Sequence, residues 1–296
     1  MTVNITNLST ETRNERTKDL DLLSVREIIG IMNEEDLKVI EAVKGSLDEI
    51  SILIEECVRA YRKGGRIVYI GAGTSGRLGL MDAVEVVPTY NSDRFVGLIA
   101  GGDNAFVRAV EGAEDSKELA VEDLRRIGLN EKDLVIGIAA SGRTPYVIGG
   151  LDYAGSLGAK TGCVCCNVNT EIAQHCDYPI ELSAGPEVVT GSTRLKSGTC
   201  QKIVLNMIST ATMIKAGKVY GNLMVDVKAT NEKLVERCRN IVMEVTGCDH
   251  ARADEVLKET ENQCKPAIVM ILLGVSRKEA EERLKKADGN LREALK

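Results

Sequence analysis

The sequence predicts an α/β protein with a doubly wound, parallel five-stranded sheet of flavodoxin-like kind and a helical C-terminal region. Three observations predict it. Short β-branched apolar runs alternate with segments of helical period between residues 66 and 216. Two of those runs pass directly into turns rich in glycine and hydroxyl groups, GAGTSGRLG at 71–79 and AASGRTPYV at 139–147. After Gly221 the pattern is helical only.

Taken in order, residues 1–33 are polar with scattered leucines and read as an arm. Residues 34–62 keep Leu37, Ile40, Val43, Leu47, Ile50, Leu53, Ile54 and Val58 at helical spacing and close on Gly64-Gly65, a helix stop. RIVYI (66–70) is a strand, 75–86 a helix, FVGLIA (95–100) a strand, and 104–111 a short helix capped by Asp103. A helix near 116–126 precedes strand DLVIGIAA (133–140), helix 144–157, strand TGCVCC (161–166) and strand YPIELS (178–183). The stretch AGPEVVTGSTRLKSGT (184–199) leads into a long helix over 200–216. Beyond it, helices are expected at 230–246, 249–260, 264–273, 276–287 and 289–296, with Asp249 as a cap and Ser276 with Glu279 as a capping box. The division expected is an arm and leading helix (1–56), a ligand-binding α/β domain (57–220) and a helical region (221–296).

Composition narrows the function. A chain of 296 residues has ample core. A net charge of −6, 3% aromatic residues and no Trp argue against nucleic-acid or membrane-surface partners and suit a soluble enzyme. No apolar stretch approaches the ~20 residues of a membrane span, and the polar start MTVNITNLSTETRNERT does not read as a secretory signal. The nine cysteines sit in apolar runs as small core residues do. TGCVCC reads as a buried strand rather than a metal site, and two histidines, His175 and His250, leave little material for a histidine-based centre.

The two turns are the chemical signal. A helix start presents unpaired N–H groups and a positive dipole end, and glycines with Ser or Thr make it an anion site. Gly71, Gly73 and Gly76 also form G-x-G-x-x-G after a strand, so a dinucleotide enzyme with Asp103 on the ribose is a rival reading. Three features weigh against it. Thr74 and Ser75 put hydroxyls where a pyrophosphate mostly needs bare backbone. Ser141-Gly142-Arg143-Thr144-Pro145 repeats the design, with Thr144 as N-cap and Pro145 at the first helical position. A third helix start, Thr190 to Thr199, adds Ser192, Arg194 and Lys196. Several hydroxyls converging with cations fit a phosphomonoester.

A phosphate grip alone is a binding module, so carboxylates matter. On a helical wheel Glu85 falls beside Leu78 and Met81, the face expected to turn inward, where a carboxyl would hold a raised pKa and carry a proton. Glu114 follows Val107 and Val110 at helical spacing, with Glu111 and Asp115 as close competitors. The plainer reading of EGAED is a solvated acidic patch.

The chain resembles the bacterial N-acetylmuramic acid 6-phosphate etherase family, built on the sugar isomerase (SIS) fold. The resemblance is carried by LSTETRNERT, NEED at 33–36, GAGTSGRLG, VGLIAGG, AVEGAED, GIAASGRTPYVIG, GPEVVTGSTRLKSGT, QKIVLNM and KVYGNLMVDVKATNEKL. It implies a lyase of amino sugar catabolism and cell-wall recycling. Such an enzyme removes the D-lactyl ether from C3 of N-acetylmuramic acid 6-phosphate, giving N-acetylglucosamine 6-phosphate and D-lactate by elimination and water addition. It implies Glu85 as the acid that protonates departing lactate and then activates water, and Glu114 as the group handling the C2 proton. It places the 6-phosphate on Gly73, Thr74, Ser75, Gly76, Ser141, Gly142, Arg143 and Thr144, the N–H groups of Gly76 and Gly142 helping, with Ser192 and Lys196 approaching the same pocket. It further implies no metal or cofactor, a homodimer and a cytoplasmic location. An aldose–ketose isomerase or a sugar-phosphate sensor on the same fold are the alternatives. One departure stands out: the family pattern D-A-S-E-C-P-P-T reads Asp82-Ala83-Val84-Glu85-Val86-Val87-Pro88-Thr89 here, which bears on how that helix ends and how Glu85 is aimed.

Overall fold

In a computed structural model, described for residues 8–108, 110–229 and 231–296, all five apolar runs are strands. They are β1 (Ile67–Gly71), β2 (Phe95–Ile99), β3 (Leu134–Ala139), β4 (Lys160–Cys165) and β5 (Tyr178–Glu181). They pair in parallel in the order β2-β1-β3-β4-β5. Every residue of β1 and β3 is buried, which is why these strands read as continuous apolar runs rather than alternating ones. The chain leaves β1 toward β2 on one side and returns to β3 on the other. The order therefore reverses between β1 and β3, the switch point at which such sheets bind ligands.

The helices are α1 (Val25–Lys44), α2 (Leu47–Arg62), α3 (Gly73–Tyr90), α4 (Asn104–Val107), α5 (Lys117–Arg126), α6 (Pro145–Ser156) and α7 (Lys196–Lys215), followed by α8 (Glu232–Thr246), α9 (His250–Glu259), α10 (Cys264–Leu273), α11 (Arg277–Lys286) and α12 (Leu291–Ala294). The single helix expected over 34–62 is two helices that break at Gly45-Ser46. The first starts well inside the expected arm, because Ser24 and Glu27 form a reciprocal capping box. Val43, Ile50, Leu53 and Val58 are buried as the spacing suggested, whereas Leu37, Ile40 and Leu47 are exposed. The helix expected from 104 to 111 stops at Val107, and Asp103 makes no capping bond. α7 begins at Lys196, four residues earlier than expected.

Two compact units are present: residues through Ala83 with Arg94–Ser209, and Val84–Asp93 with Thr210–Lys296. The first has the sheet at its centre. Buried Asp82 accepts from Tyr69 Oη (3.1 Å) and from Ser209 Oγ (3.1 Å), tying α3 to β1 and α7. The second unit has its own core, including Ile241, Val242, Val256, Leu257, Ile268 and Val269. Asp249 caps α9 and Ser276 caps α11 through the N–H groups of Arg252 and Glu279.

All nine cysteines are free thiols, and only Cys176 and Cys248 are part-exposed. Hydrogen bonding from neighbouring thiols and burial push the Cys163 thiol up, so it stays neutral. His175 sits against Asp152 at 2.6 Å. Among the described residues there is no His/Cys/Asp/Glu grouping able to hold a metal, and no helix is long and apolar enough to cross a membrane.

Candidate active site

Both turns lie at the carboxyl ends of β1 and β3, the two strands that flank the switch point. α3 is launched at Gly73, whose φ of +53° is a backbone conformation that favours glycine. Ser75 follows, 7% exposed, with Thr74 half-buried beside it. Gly76 packs closely and its N–H is already engaged. Its N–H is spent on Ala72 O (3.1 Å), and a Cβ there would sit 2.6 Å from Gly71 O and 2.7 Å from the Ile99 side chain. Its role is to let the helix press onto the strand.

The second turn is built similarly. Gly142 is buried with φ +71°, and a Cβ would strike Thr170 at 2.3 Å. Ser141, Arg143 and Thr144 are half-buried around it. Thr144 is the N-cap of α6 and Pro145 its first residue, but the Thr144 hydroxyl makes no capping bond. A hydroxyl placed at a helix start and not used to close that helix remains available to a ligand. The segment after β4 braces this turn: Asn167 donates to Ala140 O (3.1 Å) and to Thr10 Oγ1 (3.2 Å), and accepts from Ser9 N and Oγ (2.8 Å each). The LSTE motif is thus a strap over the turn.

The third helix start differs from expectation. The buried carboxylate of Glu187 already accepts from the N–H groups of Lys196 and Ser197 at 2.9 Å and from Ser197 Oγ at 2.9 Å. An internal anion fills the place an external phosphate would take. Lys196 is 1% exposed and donates to Glu35 Oε2 (2.8 Å) and Ala184 O (3.0 Å), so its ammonium is engaged by the protein itself. Ser192 is half-buried in the preceding loop, where its N–H donates to Val189 O. What α7 does bring to the first turn is Gln201, whose Oε1 accepts from Ser75 Oγ at 2.9 Å. Sequence reasoning missed Gln201. The only signal was its place in QKIVLNM, one turn into the helix.

Beside the first turn lies a cavity of about 250 Å³ lined by Ala72, Gly73, Arg77, Ala100, Val110, Glu111 and Glu114 among others. Arg77 is braced there by the carbonyls of Phe106 (2.9 Å) and Ala105 (2.8 Å).

Residues 49–155 match the glucokinase regulatory protein N-terminal SIS domain family, and residues 118–211 match the SIS domain family. The chain is similar in fold to a phosphoheptose isomerase from Francisella tularensis, with a TM-score of 0.51 and 16% identity over 64% of this chain and 98% of that one. It is 56% identical to an N-acetylmuramic acid 6-phosphate etherase from an Exiguobacterium species over 97% of this chain and 99% of that relative. It is 55% identical to one from Bacillus cereus, over 98% and 99%. The chain belongs to the N-acetylmuramic acid 6-phosphate etherase family.

The two glutamates singled out by resemblance to the etherase family are both exposed in the single chain. Glu114 does reach the cavity beside the first turn, though not for the reason its spacing suggested. It sits on a separate 3₁₀ turn (Ala113–Asp115) after Gly112 (φ +75°), and Val107 is 81% exposed. Glu111 lines the same cavity. Glu85 does not face inward as the wheel suggested. Its neighbour Val84 is 60% exposed, while Val86 is the buried one. The three etherase-family departures therefore split, with Val84 on the surface, Val86 in the core and Val87 half-buried. α3 continues through Pro88 to Tyr90, with Thr89 Oγ1 donating back to Glu85 O at 2.9 Å.

Proposed function

We infer that this chain is a carbon–oxygen lyase catalysing the reaction for which its family is named. It cleaves the D-lactyl ether of N-acetylmuramic acid 6-phosphate, giving N-acetylglucosamine 6-phosphate and D-lactate. The observation that carries this reading is near full-length identity of 55–56% to relatives bearing that name. Two hydroxyl-lined helix starts at the switch point of the sheet agree with it.

The chemistry sets the tasks. Opening of the sugar ring exposes an aldehyde at C1 that acidifies the C2 proton. Loss of that proton and departure of lactate from C3 leave an unsaturated aldehyde, to which water adds at C3. An alkoxide leaves poorly, so a carboxylic acid must protonate the ether oxygen. Glu85 is assigned that role, and in the second half it takes the proton from water. Glu114, at the cavity beside the first turn, is assigned the C2 proton. Ser75 and Thr74 with the N–H groups of the α3 start, and Ser141, Arg143 and Thr144 with Gly142, hold the 6-phosphate.

We assign the enzyme to a homodimer in which the acid serves a sugar whose phosphate rests on the other copy. Apolar side chains left exposed by the chain support pairing: Leu37 (66%), Ile40 and Ile29 on α1, and Val84 next to Glu85. The substrate carries a phosphate, which does not cross a bilayer unaided, so the reaction is placed in the cytoplasm.

Turnover in ¹⁸O-water tests the reaction type. Elimination and hydration put the label in the C3 hydroxyl of the amino sugar and leave lactate unlabelled. Label in lactate, or a ketose without lactate, overturns this reading.

A further inference from the structure

Gln201 is 1% exposed, in the second turn of α7. Its Oε1 takes the proton of the Ser75 hydroxyl at 2.9 Å, while its Nε2 is buried with no hydrogen-bond partner among the described residues. A buried amide donor left unmade is costly, and such groups call for an explanation. A serine has one proton. While that proton points at Gln201, Ser75 offers only lone pairs to an anion at the α3 start, and lone pairs repel phosphate.

Rotation of the Gln201 amide by half a turn exchanges Oε1 and Nε2 in nearly the same volume. Nε2 then donates to Ser75 Oγ, and the serine proton is released toward the helix mouth. The exchange leaves an unsatisfied acceptor in place of an unsatisfied donor, the milder of the two defects. A phosphate oxygen at the α3 start rewards that exchange by accepting the released proton. Gln201 Nε2 is itself sealed from solvent, so it acts through Ser75 rather than by touching the ligand.

We propose that Gln201 is a positioning residue whose amide sets the direction of the Ser75 hydroxyl proton and turns it onto the phosphate of the substrate. This rests on the sugar-phosphate reading of the first turn, and it adds a residue that neither turn contains.

Inorganic phosphate and N-acetylglucosamine 6-phosphate are the probes, with affinities measured by titration calorimetry so that no turnover is required. Gln201→Leu removes the support for the proton, and affinity falls about tenfold. Gln201→Glu can only accept while ionised, which holds the proton away from the ligand and adds a like charge, so affinity falls about a hundredfold. The Gln201→Glu defect shrinks as pH falls and the carboxyl protonates. In a Ser75→Ala background the Leu and Glu variants lose most of their separate effect. With the sugar substrate the defect falls on KM more than on kcat. Gln201→Met, close in volume, serves where the other variants fold poorly, and thermal unfolding is recorded for each. Equal losses for Leu, Met and Glu that add to Ser75→Ala mark a merely structural glutamine and overturn the proposal. Lactate released with all variants binding alike also overturns it and leaves the lyase reading intact. The ranking upheld without any lactate release supports the proposal and sinks the lyase reading instead.

Discussion

Lys196 Nζ donates to Glu35 Oε2 at 2.8 Å, and both side chains are closed to solvent. Around them Asn14 Nδ2 (2.9 Å), Arg16 (3.1 Å) and Lys38 (2.8 Å) also donate to Glu35. The arm, α1 and the start of α7 thus meet on one carboxylate within the first unit. Burial works against the charge of Glu35, and hydrogen bonds from Lys196 and Lys38 more than offset it, holding the carboxyl at about 2.

Glu35→Ala leaves Lys196 buried without its carboxylate and is expected to lower the unfolding free energy by about 3–5 kcal/mol, read by urea denaturation. Replacing both partners with apolar residues (Glu35→Leu with Lys196→Met) should recover much of that loss. Were Lys196 a phosphate ligand, Lys196→Met would raise KM and leave unfolding unchanged.

The same carboxylate predicts a pH dependence. An unfolded glutamate titrates near about 4.3, above folded Glu35. The folded state is therefore favoured by the full amount above that pH, and the contribution is lost as pH falls toward 2. Glu35→Gln should flatten this part of the stability profile.

Thiol labelling reads the cysteine assignment. In native protein only Cys176 and Cys248 should react readily, and the buried seven only after denaturation. Chelator treatment should change neither labelling nor activity.

Ser141→Ala should weaken binding of the sugar phosphate by about 0.5–3 kcal/mol, seen in calorimetry with the product. Loss of lactate release with product affinity unchanged would place Ser141 in the chemistry instead.

The division of roles and the two-copy site are tested together. Glu85→Gln should abolish lactate release and leave solvent exchange at C2, whereas Glu114→Gln should suppress the exchange. Mixed after co-refolding, the two inactive variants should regain roughly a quarter of wild-type activity, since one site of each mixed dimer is intact. No recovery in dimers shown to have mixed would place both glutamates in one chain's site.

Much of the fold was legible because the signals were local. The apolar runs at 67–71 and 134–139 and the glycine-hydroxyl turns after them declare a buried parallel sheet with helix starts at its carboxyl edge. The break at Gly45-Ser46 was hidden because Leu37, Ile40 and Leu47 keep a helical period while facing outward. An apolar period reports a face, not what covers it. The pairing of Lys196 was hidden for a related reason. A lysine beside hydroxyls reads as an anion ligand, and nothing local reveals that Glu35, distant in sequence, and Glu187 occupy that helix start. Glu114 reached the cavity by way of a 3₁₀ turn after Gly112 that helical spacing does not describe. Gln201 was invisible because its meaning lies in one bond to Ser75 across the fold.

Ether cleavage is read directly as D-lactate formed when purified protein meets N-acetylmuramic acid 6-phosphate. Lactate and N-acetylglucosamine 6-phosphate are expected in equal amounts, with release lost in Glu85→Gln. Sugar phosphate bound by a well-folded protein that forms no lactate would contradict ether cleavage.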